Sequence, residues 1–201
     1  MSRPLASPGQ RIGLLGGSFN PPHEAHRAAS LLAWKKLGLD SVWWLVTPGN
    51  PLKDTSSLPP LDERLKRARQ AAQSPFIVVT GIERTLGTRF TFDTVSRLTA
   101  CYPSVRFVFL MGADILAEFH HWKRWRELAG LIPFAAINRP GWTSRALASP
   151  AAIALASARV QESDALALAS CRPPAWVFLH GLKLAQSSTA LRKAAASGPE
   201  G

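Results

Sequence analysis

Gly16-Gly17-Ser18-Phe19-Asn20-Pro21-Pro22-His23-Glu24-Ala25-His26 follows the apolar run Arg11 to Leu15 and leads into an amphipathic stretch from Ala25 to Leu37. A strand that breaks on two glycines and resumes as a helix is the opening unit of an α/β sheet. The glycines permit a tight turn and close backbone approach to a ligand, while the helix start offers unpaired amides and a positive dipole to an anion. Such a loop is phosphate-binding architecture. It matches neither familiar glycine-rich fingerprint, because the third dinucleotide-fold glycine and the Lys-Ser/Thr pair of the nucleotide-hydrolase loop are both missing. His23 and His26, three apart, project from one face of the first helical turn toward the same space. Two imidazoles there can donate hydrogen bonds to a phosphate; equally, one can cap the helix while the other packs. Zinc is a third reading, and no third Cys, His or acidic ligand at a suitable spacing supports it.

Working outward, further β-rich runs lie at Val42 to Val46, Phe76 to Thr80, Val105 to Leu110, Phe134 to Ile137 and Trp176 to Leu179. Amphipathic stretches at Asp62 to Ala72, Phe92 to Ala100 and Ile115 to Leu128, and a helical turn from Ser188, alternate with them. Apolar strands alternating with helices predict a Rossmann-like α/β fold, a doubly wound parallel sheet with helices on both faces. Residues 11–196 are expected to form one domain, after a disordered lead at 1–10 and before a flexible tail at 197–201. The Ala-, Ser- and Pro-rich stretch 140–174 reads as a helix with loose flanks at the edge of the sheet. Ligands of such sheets bind at the carboxyl ends of the strands, so the strand-to-helix loops carry the function.

The 201 residues, 46% hydrophobic, suffice for one folded core, and the net charge of +11 suits anionic ligands. The arginines are scattered and no aromatics interleave with them, so a nucleic-acid platform is not indicated. Cys101 and Cys171 have no metal or redox spacing and fit a reducing compartment. The first residues lack the apolar run of a signal peptide, and Ala146 to Ala158 is interrupted by Pro150 and falls short of the roughly 20 apolar residues of a membrane helix. The protein is expected to be soluble and cytoplasmic.

Near the other end stands Gln186-Ser187-Ser188-Thr189-Ala190-Leu191-Arg192-Lys193. Hydroxyls opening a helix are ordinary N-caps. Together with helix-end amides and an arginine one turn in, they also make a cradle for a polyphosphate.

The two stretches resemble, in order, the nucleotidyltransferase superfamily motifs Gly-Gly-Thr/Ser-Phe-Asp/Asn-Pro-x-His-x-Gly-His and Ile-Ser-Ser-Thr-x-x-Arg. Ala25 replaces the usual glycine and Gln186 the usual apolar residue. Between them, Arg89-Phe90-Thr91-Phe92-Asp93-Thr94-Val95 is similar to the Ser-Tyr-Thr-x-Asp-Thr-Leu segment of bacterial nicotinate mononucleotide adenylyltransferases. Gly112-Ala113-Asp114-Ile115-Leu116, with Trp122 and Trp125, is similar to their Gly-x-Asp-x-Leu...Trp-x-x-Trp/Tyr segment, and Asn138-Arg139-Pro140-Gly141 to a third. Phe90 stands in the tyrosine position, and Asn50-Pro51-Leu52-Lys53 resembles a Pro-Pro-His-Lys loop without its histidine.

The resemblance implies adenylyl transfer from ATP to nicotinate mononucleotide, with His23, His26 and Arg192 catalytic. It further implies that Gly16, Gly17, Ser18, Phe19, His23, His26, Ser187, Ser188, Thr189 and Arg192 bind ATP. Asn20, Lys53, Thr91, Phe92, Asp114, Trp122 and Arg139 would bind the acceptor. An exposed indole at Trp122 would stack on the pyridinium ring, Asp114 would accept from ribose hydroxyls, and amides near Thr91 and Phe92 would bind the carboxylate. Trp125 reads as core. Mg²⁺ would arrive on the phosphates of ATP with no protein metal ligand, and the enzyme would be a monomer or homodimer without nucleic-acid or membrane partners. The alternatives are another superfamily nucleotidyltransferase, chiefly pantetheine-phosphate adenylyltransferase or an enzyme passing CMP to an alcohol phosphate, and a non-catalytic basic nucleic-acid-binding module.

Overall fold

Seven strands, all parallel, run side by side in a computed structural model that describes residues 3–49 and 58–182. They are β1 (Arg11–Gly17), β2 (Ser41–Val46), β3 (Ile77–Thr80), β4 (Arg106–Gly112), β5 (Phe134–Ile137), β6 (Arg159–Val160) and β7 (Trp176–Leu179), in the spatial order β3-β2-β1-β4-β5-β7-β6. The chain winds outward from β1 through β2 to β3, returns to β4 on the other side of β1, and winds outward again. Neighbouring strands β1 and β4 therefore feed connections that depart in opposite directions, which opens a crevice at their carboxyl ends.

Alternation along the strands sorts the core onto two faces. Trp43, Phe107, Phe109, Met111, Phe134 and Phe178 point to one face. It is covered by α3 (Ile82–Leu86), α4 (Thr91–Cys101), α5 (Ala113–Glu118), α6 (Trp125–Leu131), α7 (Thr143–Leu147) and α8 (Pro150–Ala154). Trp44, Val108, Leu110, Ala135 and Val177 point to the other, under α1 (Glu24–Leu37), α2 (Leu61–Ala72) and a 3-10 segment, Glu162–Ser170. Consecutive tryptophans thus serve opposite cores, as a strand buried on both sides requires. The expected doubly wound α/β fold is what the chain adopts.

Three expectations change. The predicted helix over Ile115 to Leu128 is broken: α5 ends in a 3-10 turn at Phe119–His121, Trp122 is extended, and Arg124 at φ 59 caps α6. Phe119 packs against Trp122, Trp125 and Phe134, with ring centroids 5.6, 5.8 and 5.6 Å away, and this cluster turns the chain where periodicity alone would continue it. Within 140–174 there is no single helix but α7, α8, the edge strand β6 and the 3-10 segment. Finally, residues 3–10 of the expected disordered lead are tied down: Tyr102 Oη donates to Pro4 O at 2.8 Å, and Gly9 N to Ser104 O at 2.7 Å.

Candidate active site

The first loop leaves β1 at Gly17 and enters α1 at Glu24, with His23 as N-cap in extended conformation. Gly16 is exposed, and a Cβ there would meet nothing within 4 Å. Ser18 and Asn20 are half-buried. Phe19 is buried at the left-handed φ of 47, stacked on Trp44 with its ring centroid 4.8 Å from both Trp44 and His26. A non-glycine residue in that region is costly, and it persists where surrounding contacts over-determine it.

His23 and His26 do come together, with ring centroids 3.8 Å apart. The His23 amide donates to His26 Nδ1 at 3.3 Å. An imidazole that accepts at Nδ1 carries its own hydrogen on Nε2 when neutral, so His26 is set as an Nε2 donor. Burial, then the neighbouring His23 and Arg139 charges, lower the His26 pKa to about 3. Burial and Arg139 lower that of His23 to about 4. Both rings are therefore neutral donors near pH 7. Neither ring nitrogen of buried His23 has a partner among the described residues, an arrangement that leaves hydrogen-bonding capacity for a ligand.

Across the crevice, β4 ends at Gly112 and α5 begins at once, with Asp114 in its first turn. Asp114 Oδ1 lies 3.2 Å from Arg139 Nε, so the two residues expected to bind acceptor form an ion pair beside the imidazoles. A Cβ on Gly112 would sit 2.3 Å from Asp114 Oδ1 and 3.0 Å from Arg139 Nε, so any larger residue would have to displace that pair. His26, Gly112 and Arg139 line one pocket with Leu15, Ala25 and Leu182. Ala25, where the superfamily carries glycine, is buried and places its methyl group in that wall.

The other acceptor residues form a second group. Thr91 and Phe92 open α4, the Arg124 guanidinium lies 3.7 Å from the Phe92 ring centroid, and Lys123 Nζ lies 4.2 Å from that of Phe90. The segments around Thr91 and Trp122 are thus neighbours. Trp122 is half-buried, edge-on to Phe109 and Phe119, while Trp125 is buried as a core residue should be. Lys53, Ser187, Ser188, Thr189 and Arg192 lie outside the described residues.

Two buried groups beneath the loops escaped the sequence reading. Arg64 hydrogen-bonds to Ser18 O and to carbonyls after β2. A charged residue on the apolar stripe of α2, between Leu61 and Ala68, is the pattern that flags it. Glu83 is held up at about 7 by burial, against hydrogen bonds with Thr47 and Thr94.

A profile of the Cytidylyltransferase-like family matches residues 14–194. A "Probable nicotinate-nucleotide adenylyltransferase" of Bradyrhizobium sp. (strain ORS 278) is 56% identical over 182 residues, 90% of this chain and 95% of the relative. One from Rhizobium meliloti is 50% identical over 183 residues, 91% of this chain and 97% of the relative. Among solved structures, Plasmodium falciparum nicotinic acid mononucleotide adenylyltransferase complexed with NaAD has a TM-score of 0.65 at 19% identity, covering 92% of this chain and 83% of that one.

Proposed function

The chain belongs to the Cytidylyltransferase-like family and, within it, to the nicotinate-nucleotide adenylyltransferases, and from that premise we propose the substrates and the roles of its residues. The enzyme joins the adenylyl group of ATP to nicotinate mononucleotide, in the cytoplasm, through one domain spanning residues 11–196. The observation that carries this reading is the meeting of His23, His26 and the Asp114–Arg139 pair at the crevice between β1 and β4.

The acceptor's phosphate monoester bears about 1.5 to 2 negative charges near neutral pH and needs no general base. One of its oxygens attacks the α-phosphorus of ATP in line; the bond to the β-phosphate oxygen breaks, and pyrophosphate leaves with its electron pair. Catalysis then consists of holding two polyanions together and stabilising the transition state. His26 Nε2–H and His23 donate to the α-phosphate, while Gly16 to Phe19 supply close backbone approach. Ser187, Ser188, Thr189 and Arg192 hold the β- and γ-phosphates; Leu182, on the pocket wall, is five residues before Ser187. Arg139 and Lys53 meet acceptor phosphate, Asp114 accepts from its ribose hydroxyls with Asn20 nearby, Thr91 and Phe92 amides bind the carboxylate, and Trp122 meets the pyridinium face.

The described crevice offers imidazoles, an arginine and one carboxylate, a donor set suited to phosphate oxygens more than to enclosing a hard cation. Mg²⁺ therefore fits as a passenger on the nucleotide, where it neutralises the leaving pyrophosphate.

Incubation with MgATP and each of nicotinate mononucleotide, nicotinamide mononucleotide, 4'-phosphopantetheine and an alcohol phosphate, with pyrophosphate release measured, tests the reading. Fastest turnover with the nicotinate nucleotide is expected. Preference for phosphopantetheine, or nucleic-acid binding without turnover, would replace it.

A further inference from the structure

Arg64 has no role in the reaction set out above, yet it is 1% exposed, one of the most deeply buried large side chains in the protein. A buried charge is costly unless its donors are met. Here main-chain carbonyls meet them. Nε donates to Pro59 O at 2.9 Å, Nη1 to Ser18 O at 2.9 Å and Thr47 O at 2.7 Å, and Nη2 to Pro48 O at 3.0 Å. Burial alone moves its pKa, downward, and no carboxylate among the described residues acts on it.

The acceptors are not an arbitrary set. Ser18 follows β1, Thr47 and Pro48 follow β2, and Pro59 immediately precedes the N-cap of α2. One nitrogen, Nη1, holds Ser18 O and Thr47 O at once and so fixes the separation of the two loops, a tie doubled by Thr47 N donating to Gly17 O at 3.0 Å. A planar fork with five donors can span four carbonyls; an ammonium, with three donors on one atom, cannot.

The direction of the grip matters. Helix α2 packs on β2 and β3, on one side of the β1 exit, whereas β4 and the crevice lie on the other. A trans peptide points its carbonyl and the following amide in opposite directions. With the Ser18 carbonyl turned to Arg64, the Phe19 amide faces the opposite way, away from α2. The same grip helps hold Phe19 at its costly positive φ.

We infer that Arg64 is a positioning residue, which fixes the Ser18–Phe19 peptide so that its amide and the His23–His26 pair meet the phosphates of the nucleotide. The inference rests on the reading that this loop binds phosphate. Its test compares Arg64→Lys with Leu65→Ala, the neighbouring buried position on α2, which removes core contacts but none of the four hydrogen bonds to the loop carbonyls. Thermal melts, kcat and KM per folded molecule, and the Kd of a non-hydrolysable ATP analogue are measured for both and for the native enzyme.

Arg64→Lys should lose about tenfold to a hundredfold in kcat, the scale set by small misplacements of reacting groups, and bind the analogue more weakly. Leu65→Ala should melt earlier yet keep its kcat per folded molecule. Unchanged kcat and Kd in Arg64→Lys would overturn the inference, as would equal losses in the two variants. Should Arg64→Lys not fold, Arg64→Gln, which buries no charge, is read in the same way, and failure of both to fold assigns Arg64 to the core instead. A native enzyme without turnover on nicotinate mononucleotide would overturn the functional reading; analogue binding, compared across the variants, judges Arg64 separately.

Discussion

His26 combines burial and a fixed tautomer in a single ring, and its lowered pKa of about 3 keeps that ring neutral near pH 7. Replacing His26 with Ala should slow dinucleotide formation by about 10²- to 10³-fold, the usual loss of one preorganised donor, with an unchanged far-UV circular dichroism spectrum. Near-native turnover would remove the assigned role. Because its folded pKa lies below the unfolded value of 6.5, the folded state resists protonation. Stability is therefore full above about pH 6.5 and falls as pH drops toward the folded pKa, by up to about 1.4 kcal/mol per pH unit for one group. His26→Gln should flatten that slope in melts between pH 4 and 6.5. Glu83 has the opposite sign: its folded pKa of about 7 exceeds the ordinary carboxyl value of 4.5, so its contribution is present below 4.5 and lost as pH rises through 7. Glu83→Gln should gain in melting temperature relative to the native enzyme between pH 5 and 8; a constant difference would show that Glu83 is ionised throughout.

Among the elements, the turn from β4 into α5 runs close against the Asp114 side chain. Gly112→Ala must displace the Asp114 carboxylate, since the new Cβ would lie 2.3 Å from it. The KM for nicotinate mononucleotide should rise several-fold while the KM for ATP moves little, and a rise confined to ATP would count against Asp114 as an acceptor group. What the sequence made legible follows from range. Strands and helices with strong periodicity were readable, as was the His23–His26 pairing, because both depend on neighbours within a turn. The break after α5 was not, because Phe119 is turned by Trp122, Trp125 and Phe134 acting together. The anchoring of residues 3–10 depends on Tyr102 and Ser104, about a hundred positions away, and leaves no local trace. Arg64 was missed for a related reason: its partners are carbonyls, which every residue possesses and no sequence displays.

At the scale of the molecule, the parallel sheet gathers the β1 and β4 exits, the His23–His26 pair and the Asp114–Arg139 pair along its carboxyl edge. Among the described residues, the opposite edge carries returns between helices and strands, together with the N-terminal lead held against Tyr102 and Ser104. Lys36, Glu162 and the backbone and ring of His180 form a clasp between α1, the 3-10 segment and the carboxyl end of β7. Burial alone would raise the Glu162 carboxyl, but the hydrogen bonds from Lys36 and His180 outweigh it and bring it down to about 2. The location of the lead has a practical use. An enzyme tethered to a bead or electrode through its first residues should stand with the crevice facing the solution, and its KM values should match those of the free enzyme. Tethering through the chain after Leu182, whose side chain lines the pocket, should instead obstruct the nucleotide, so that the two ends of one polypeptide make unequal handles.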